Sequence, residues 1–186
     1  MINTILKTNK KRLSFHIMRE LFEIEELDSS LPGNNEVRKY VSSGGFSSIG
    51  FVKFIADRTF IKELTVSTLR VGKKHLAVLG ELKKQGKLDK VNFIVGSIMQ
   101  DGSKKDKEYH YFDILQETCS QNNWVLKVRN NHSKILLFDT DKGKFVIETS
   151  SNLNENPKME QFSFEKDEVL YFFYQKVFDE LFADEN

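Results

Sequence analysis

A chain of 186 residues, 39% hydrophobic and 30% charged, has the balance of one globular domain, with or without a helical appendage. That balance excludes a disordered chain, and no stretch approaches the roughly 20 apolar residues that a membrane-spanning helix needs. The formal net charge of +1 supplies no long-range attraction for a polyanion, so nucleic-acid contact would need a local basic patch. At this size folding buries roughly 70% of the surface the unfolded chain exposes, and sixteen Phe against two Pro suit such a core. Cys119 is the single cysteine. An internal disulfide is therefore excluded, and the residue reads as a small core side chain. The first twelve residues lack the apolar core of a signal peptide, so the expected compartment is the cytoplasm.

Taken in chain order, residues 10–27 place Leu13, Ile17, Leu21 and Ile24 at helical spacing and predict an amphipathic helix. Residues 28–35 are a dense loop signal. Together 1–35 are expected to form a helix and loop packed on a main domain of residues 36–186. Residues 42–50 carry three glycines without the spacing of a phosphate-binding loop and read as a linker or turn. From residue 60 the pattern alternates. A strand over 61–71 is followed by a helix opened by Gly72, with Leu76, Leu79 and Leu82 on one stripe and a stop near Gly86. A buried strand follows over 89–98, then a helix over 107–120. Strands over 124–138 and 144–150 flank a turn at 139–143, and a closing helix over 165–182 aligns Leu170, Phe173, Tyr174, Val177 and Leu181. This βαβαββα order predicts an α/β layered fold with a mixed sheet flanked by helices.

The segment 130–160 concentrates the chemistry. Residues two apart on a strand share a face, which would align Asn130, His132 and Lys134. A hairpin would bring them to Ser150 and Asn152 at the end of the next strand. An imidazole, an ammonium, a hydroxyl and an amide meeting there suit a phosphoryl group: the cation and neutral donors hold its oxygens while the imidazole attacks phosphorus.

These residues resemble the signature of the phospholipase D superfamily. His132-Ser133-Lys134, four residues and Asp139 match its H-x-K-x4-D element position for position. Thr149-Ser150-Ser151-Asn152-Leu153 is similar to its Gly-Ser-x-Asn-Leu element, with Thr149 in place of glycine and a longer gap after Asp139. The resemblance implies a phospholipase D-like layered fold and, in the branch with a single motif, a nuclease. It implies His132 as the nucleophile that becomes a phosphohistidine, and Lys134 and Asn152 as ligands of the phosphoryl oxygens. Ser150 would position an oxygen or the ring, and Glu160 would orient the ring. Asp139 would complete the catalytic set or only pin the turn. No cofactor or metal is implied, because Lys134 and a second, protonated histidine would supply the positive charge. One motif per chain further implies a homodimer in which two copies of His132 share one site.

Nothing in the residue pattern offers a rival site. His16, His75 and His110 lie in contexts that read as structural or exposed, and the chain has no H-E-x-x-H and no paired cysteines. Basic residues at Lys7, Lys10, Lys11 and Arg12, at Lys73 and Lys74, and at Lys127 and Arg129 suit either a solvated surface or a phosphate backbone. The expected function is thus a metal-independent endonuclease on DNA or RNA, with no stable membrane association. A lipid or small-molecule phosphodiesterase, and a catalytically silent binding or assembly module, remain open.

Overall fold

A computed structural model describes residues 12–18, 29–101, 110–154 and 157–183. Three consecutive parallel strands build one flank of the sheet: β3 (Ile61–Thr68), β4 (Leu88–Gly96) and β5 (Val125–Arg129). The inner two, β3 and β4, are rich in β-branched and aromatic residues, as strands covered on both faces require. The chain then pairs with the other side of β3 in the opposite direction through β6 (Ile135–Thr140). It continues as an antiparallel meander through β7 (Gly143–Thr149) and β8 (Glu160–Lys166). Strand β2 (Glu36–Ser42) runs antiparallel to β8, and β1 (Arg12–Met18) lies parallel to β2. The described residues thus form one eight-stranded mixed sheet in the order β1-β2-β8-β7-β6-β3-β4-β5.

Helices cover both faces. On one lie α1 (Ile49–Ala56), α2 (Lys73–Lys84), the short α3 (Ile98–Asp101) and α4 (Tyr111–Asn122). They bury Leu64, Val66, Phe93, Val95, Leu136 and Phe145 of the sheet against their own apolar stripes. On the other, α5 (Glu168–Ala183) packs Leu170, Tyr171 and Phe178 against Ile94, Leu137 and Val146. The alternation of the strands is what separates the two sets. Cys119 is buried in α4, and its thiol is pushed up to about 12 by that burial, as expected of an inert core residue. Among the described residues no helix is long and apolar enough to cross a membrane.

Several predicted elements are corrected. Residues 12–18 of the expected amphipathic helix form β1, in register with β2 from Arg12 opposite Glu36 to Met18 opposite Ser42. Leu13 and Ile17 fit helical spacing, but Leu13, Phe15 and Ile17 also alternate, and the open edge of β2 selects the strand. Residues 10, 11 and 19–27 of that expectation lie outside the described residues. The expected linker at 42–50 contains the start of α1, whose eight residues are too few for periodicity to declare them a helix. Strands β2 and β8 escaped notice because both carry buried charge: Arg38, Glu160 and Glu165 are each no more than 6% exposed. Glu36 partners Arg38 at 2.9 Å. The closing helix begins at Glu168, since Glu165 and Lys166 belong to β8. Finally, the single strand expected over 124–138 is two strands on opposite sides of β3 and β4, a change that reshapes the site.

A cluster of aromatic rings surrounds Phe51 of α1. Its fully buried ring lies 5.2 Å from Tyr40, 5.4 Å from Phe46, 5.2 Å from Phe162 and 5.5 Å from Phe164, mostly edge to face. Phe51→Ala would empty the seam between α1, β2 and β8. The expected loss is about 3–5 kcal/mol of unfolding free energy, read from urea titration with an unchanged m-value. A loss below about 1 kcal/mol would mean that this cluster does not hold the sheet to α1.

Candidate active site

Strand β5 ends at the sheet edge, and β6 begins three strands away, beyond β4 and β3. Residues 130–134 bridge that gap by running across the carboxyl ends of β4 and β3, where ligand sites form in open α/β sheets. Asn131 fastens the crossing. Its Nδ2 donates to Ile94 O at 3.1 Å, Thr68 O at 3.3 Å and Ser67 Oγ at 3.0 Å. Its Oδ1 accepts from Ser133 N at 2.9 Å and Ser133 Oγ at 2.8 Å. Gly96 is required beneath it, because a Cβ there would come within 2.9 Å of Asn131 O and 2.6 Å of Leu69 Cδ1.

His132 and Lys134 therefore stand on an irregular segment and not, as strand alternation predicted, on one strand face. They still meet. The Lys134 ammonium donates to His132 O at 2.8 Å and lies 3.2 Å from His132 Nδ1. His132 is exposed and Lys134 half-buried. Burial pushes the Lys134 ammonium below the usual lysine range, and the negative charge of Glu160 opposes that shift.

The second motif element lies at the end of β7 and joins this edge where Thr149 N donates to Lys134 O at 3.1 Å. Ser150 Oγ donates to the carboxylate of the buried Glu160 and accepts from Gln161 N at 3.0 Å. Thr149, which replaces the expected glycine, gives its hydroxyl to Gln161 O at 2.8 Å and accepts from Ser151 N at 2.9 Å. Its side chain is thus tied into the turn that carries Ser150 and Asn152. Asn152 Oδ1 accepts from Leu69 N at 3.2 Å and sits 3.3 Å from Thr68 Oγ1, at the end of β3. With its oxygen taken by the fold, Asn152 has its amide N–H groups left to offer a ligand.

Of the predicted set, His132, Lys134, Ser150, Asn152 and Glu160 share one edge of the sheet. Asp139 does not. It faces Glu63 near the far end of β6, some 13 Å along the strand from Ile135 at about 3.3 Å per residue. There it pairs with Lys144 across the hairpin at 2.9 Å, and Lys144 lies over the Tyr171 ring at 4.5 Å. Its position fits the alternative role, pinning the hairpin and α5. Sequence reasoning missed Asn131, Ser67, Ser133 and Gly96. The available signal was the run Arg129-Asn-Asn-His-Ser133, whose turn-forming Asn and Ser argue against an unbroken strand.

The other histidines lie apart. His75, buried in α2, shares a 2.7 Å hydrogen bond with Ser47, and His110 is exposed beside Asp113 at 2.8 Å. His16 lies on β1. Among the described residues no group of three or more His, Cys, Asp or Glu converges as a metal site would require.

No protein-family model and no curated protein matches the chain. Solved structures do. A polyphosphate kinase from Porphyromonas gingivalis superposes with a TM-score of 0.57 over 80% of this chain, at 13% identity. A phosphatidylserine synthase from Haemophilus influenzae Rd KW20 superposes with a TM-score of 0.55 over 78% of it, at 17% identity. This chain spans 26% and 38% of those two chains. Both are phospholipase D-fold proteins, and the architecture here is of that class: α/β, with a mixed sheet flanked by helices.

Glu160 and Lys134 supply a direct electrostatic test. Glu160→Gln keeps an acceptor for Ser150 Oγ but removes the charge that favours the ammonium. The Lys134 pKa, already lowered, should fall further, as followed by NMR titration of its Cε. An unchanged titration would mean that Glu160 does not act on Lys134.

Proposed function

We propose that this chain is a phosphodiesterase of phospholipase D type, a metal-independent endonuclease that cleaves DNA or RNA through a phosphohistidine on His132. The observation that carries the reading is the meeting of His132 and Lys134 on the sheet edge that also holds Ser150, Asn152 and Glu160. They keep this company although the segment bearing them is not a strand, so the grouping is a product of tertiary structure and not of strand alternation. The superposed kinase and synthase lend support for phosphoryl chemistry on this architecture.

In the proposed reaction the neutral imidazole attacks phosphorus and the bond to the leaving oxygen breaks. The Lys134 ammonium and the Asn152 amide hold the non-bridging oxygens as negative charge develops. The leaving oxygen takes a proton from a protonated histidine, which we assign to His132 of a second copy in a two-fold homodimer. Water then attacks phosphorus, giving a proton to the second histidine, now neutral, and the phosphorus–nitrogen bond breaks to release the ring.

Nucleic acid is favoured over lipid by the placing of the aromatic run Tyr171–Tyr174. A lipid-facing rim would need that run exposed beside His132, yet Tyr171 is buried, only Phe172 is exposed, and Asp167 N at the head of α5 bonds Lys144 O at the end remote from His132. Exposed Lys73 and Lys74, by contrast, open α2 just after Val71 bridges to Leu153 beside Asn152. Arg129 is used otherwise, donating to Leu181 O at 2.8 Å.

Cleavage of plasmid or a labelled oligonucleotide should persist in excess EDTA and vanish in His132→Ala. Lys134→Ala and Asn152→Ala should each lower kcat by about 10²–10³-fold, the usual effect of removing a transition-state donor. His110→Ala should act like the parent protein. Loss of cleavage with chelator and its return with Mg²⁺ would refute the mechanism. The pairing has its own test: light scattering should give twice the chain mass, with activity per chain falling on dilution. A fully active monomer would refute the shared site.

A further inference from the structure

An exposed imidazole on an irregular segment has many positions open to it, and fixing one costs conformational entropy. Residues 130–134 bear just such a ring, yet both neighbours of His132 are held. Asn131 uses every polar side-chain atom, Nδ2 on β3 and β4 and Oδ1 on the amide and hydroxyl of Ser133. Ser133 Oγ also lies 2.6 Å from Ser67 Oγ at the end of β3. The peptide groups on either side of His132 are therefore tied to the same rigid strand. What remains is the rotation of the side chain itself, and there Lys134 grips both His132 O and Nδ1.

We propose that Asn131 is a positioning residue for His132: with Ser67 and Ser133 it forms a seat that aims the imidazole over the ends of β3 and β4. Asn131 touches no reacting atom and acts only through the backbone on either side of the ring. Its role in turnover rests on the nucleophilic role proposed for His132, whereas the seat itself is a property of the apoprotein. A cap serving only to satisfy Thr68 O and Ile94 O would have no reason to spend its oxygen on Ser133, the residue beyond the histidine.

The test compares Asn131→Ala, Ser133→Ala and Ser133→Thr in the full chain. The Thr variant keeps the hydroxyl, and position 133 is exposed enough to take the added methyl. Turnover is measured on bis(p-nitrophenyl) phosphate, and the His132 ring is followed by ¹⁵N NMR with His110 as internal control. In the parent protein the seated His132 ring should give signals displaced from those of free histidine. In Asn131→Ala these should move toward the free-histidine positions while His110 stays in place, and kcat should fall about 10²-fold with KM within about twofold. Ser133→Ala should do the same to a lesser degree, and Ser133→Thr should restore both readouts. Unmoved His132 signals, or a loss of kcat that only tracks the folded fraction in a thermal melt, would overturn the seat. If the parent protein turns over no phosphodiester, the proposed function fails while the NMR comparison still decides the role of Asn131.

Discussion

The hydrogen bonds from the Asn131 amide to carbonyls near the ends of two parallel strands are the constraint on which the site end of the molecule depends. Backbone acceptors at buried strand ends must find donors, and here one side chain answers Thr68 O on β3 and Ile94 O on β4. That closure draws the chain from the β5 edge back across the sheet. From the far side of β3 the chain can only return antiparallel, and β7, β8 and β2 follow from that reversal. The same five residues thus join the parallel flank to the antiparallel one and carry the imidazole. Gly96 lets them lie close to the strand ends, since any larger residue would meet the crossing backbone.

Around that crossing, charge is arranged so that each group limits another. The Lys134 ammonium is half-buried, which disfavours its charge, and Glu160 partly offsets that cost. Glu160 is itself buried and accepts from Ser150 Oγ, which in turn accepts from the backbone of Gln161. The Lys134 ammonium is thereby kept against the His132 ring, 3.2 Å from Nδ1. Thr149 fits into this arrangement by joining the turn between β7 and β8, with its hydroxyl bonded on both sides.

At the opposite end, Asp139, Lys144 and the rings of Tyr171 and Phe172 form a separate assembly of ion pair and cation–π contacts that fastens α5 to the hairpin. The H-x-K-x4-D spacing thereby serves two ends of one strand. Four residues of β6 separate Lys134 at one end from a structural clamp at the other.

The sequence alone determined what local pattern can carry. The strands β3 and β4, the helix α2 opened by Gly72, the hairpin of β6 and β7, and the apolar face of α5 each follow from periodicity and turn residues within a short window. The residue types His132, Lys134, Ser150, Asn152 and Glu160 were legible too, because a spacing motif does not require knowing how the chain runs between its parts. Tertiary structure decided what depends on partners distant in sequence. Leu13, Phe15 and Ile17 became a strand because β2 offered a free edge. Arg38, Glu160 and Glu165 could be buried because other residues meet their charge and hydrogen-bonding needs. The run at 124–138 was broken because Asn131 found Thr68 and Ile94, 63 and 37 residues away, and no window along the chain contains such a bond.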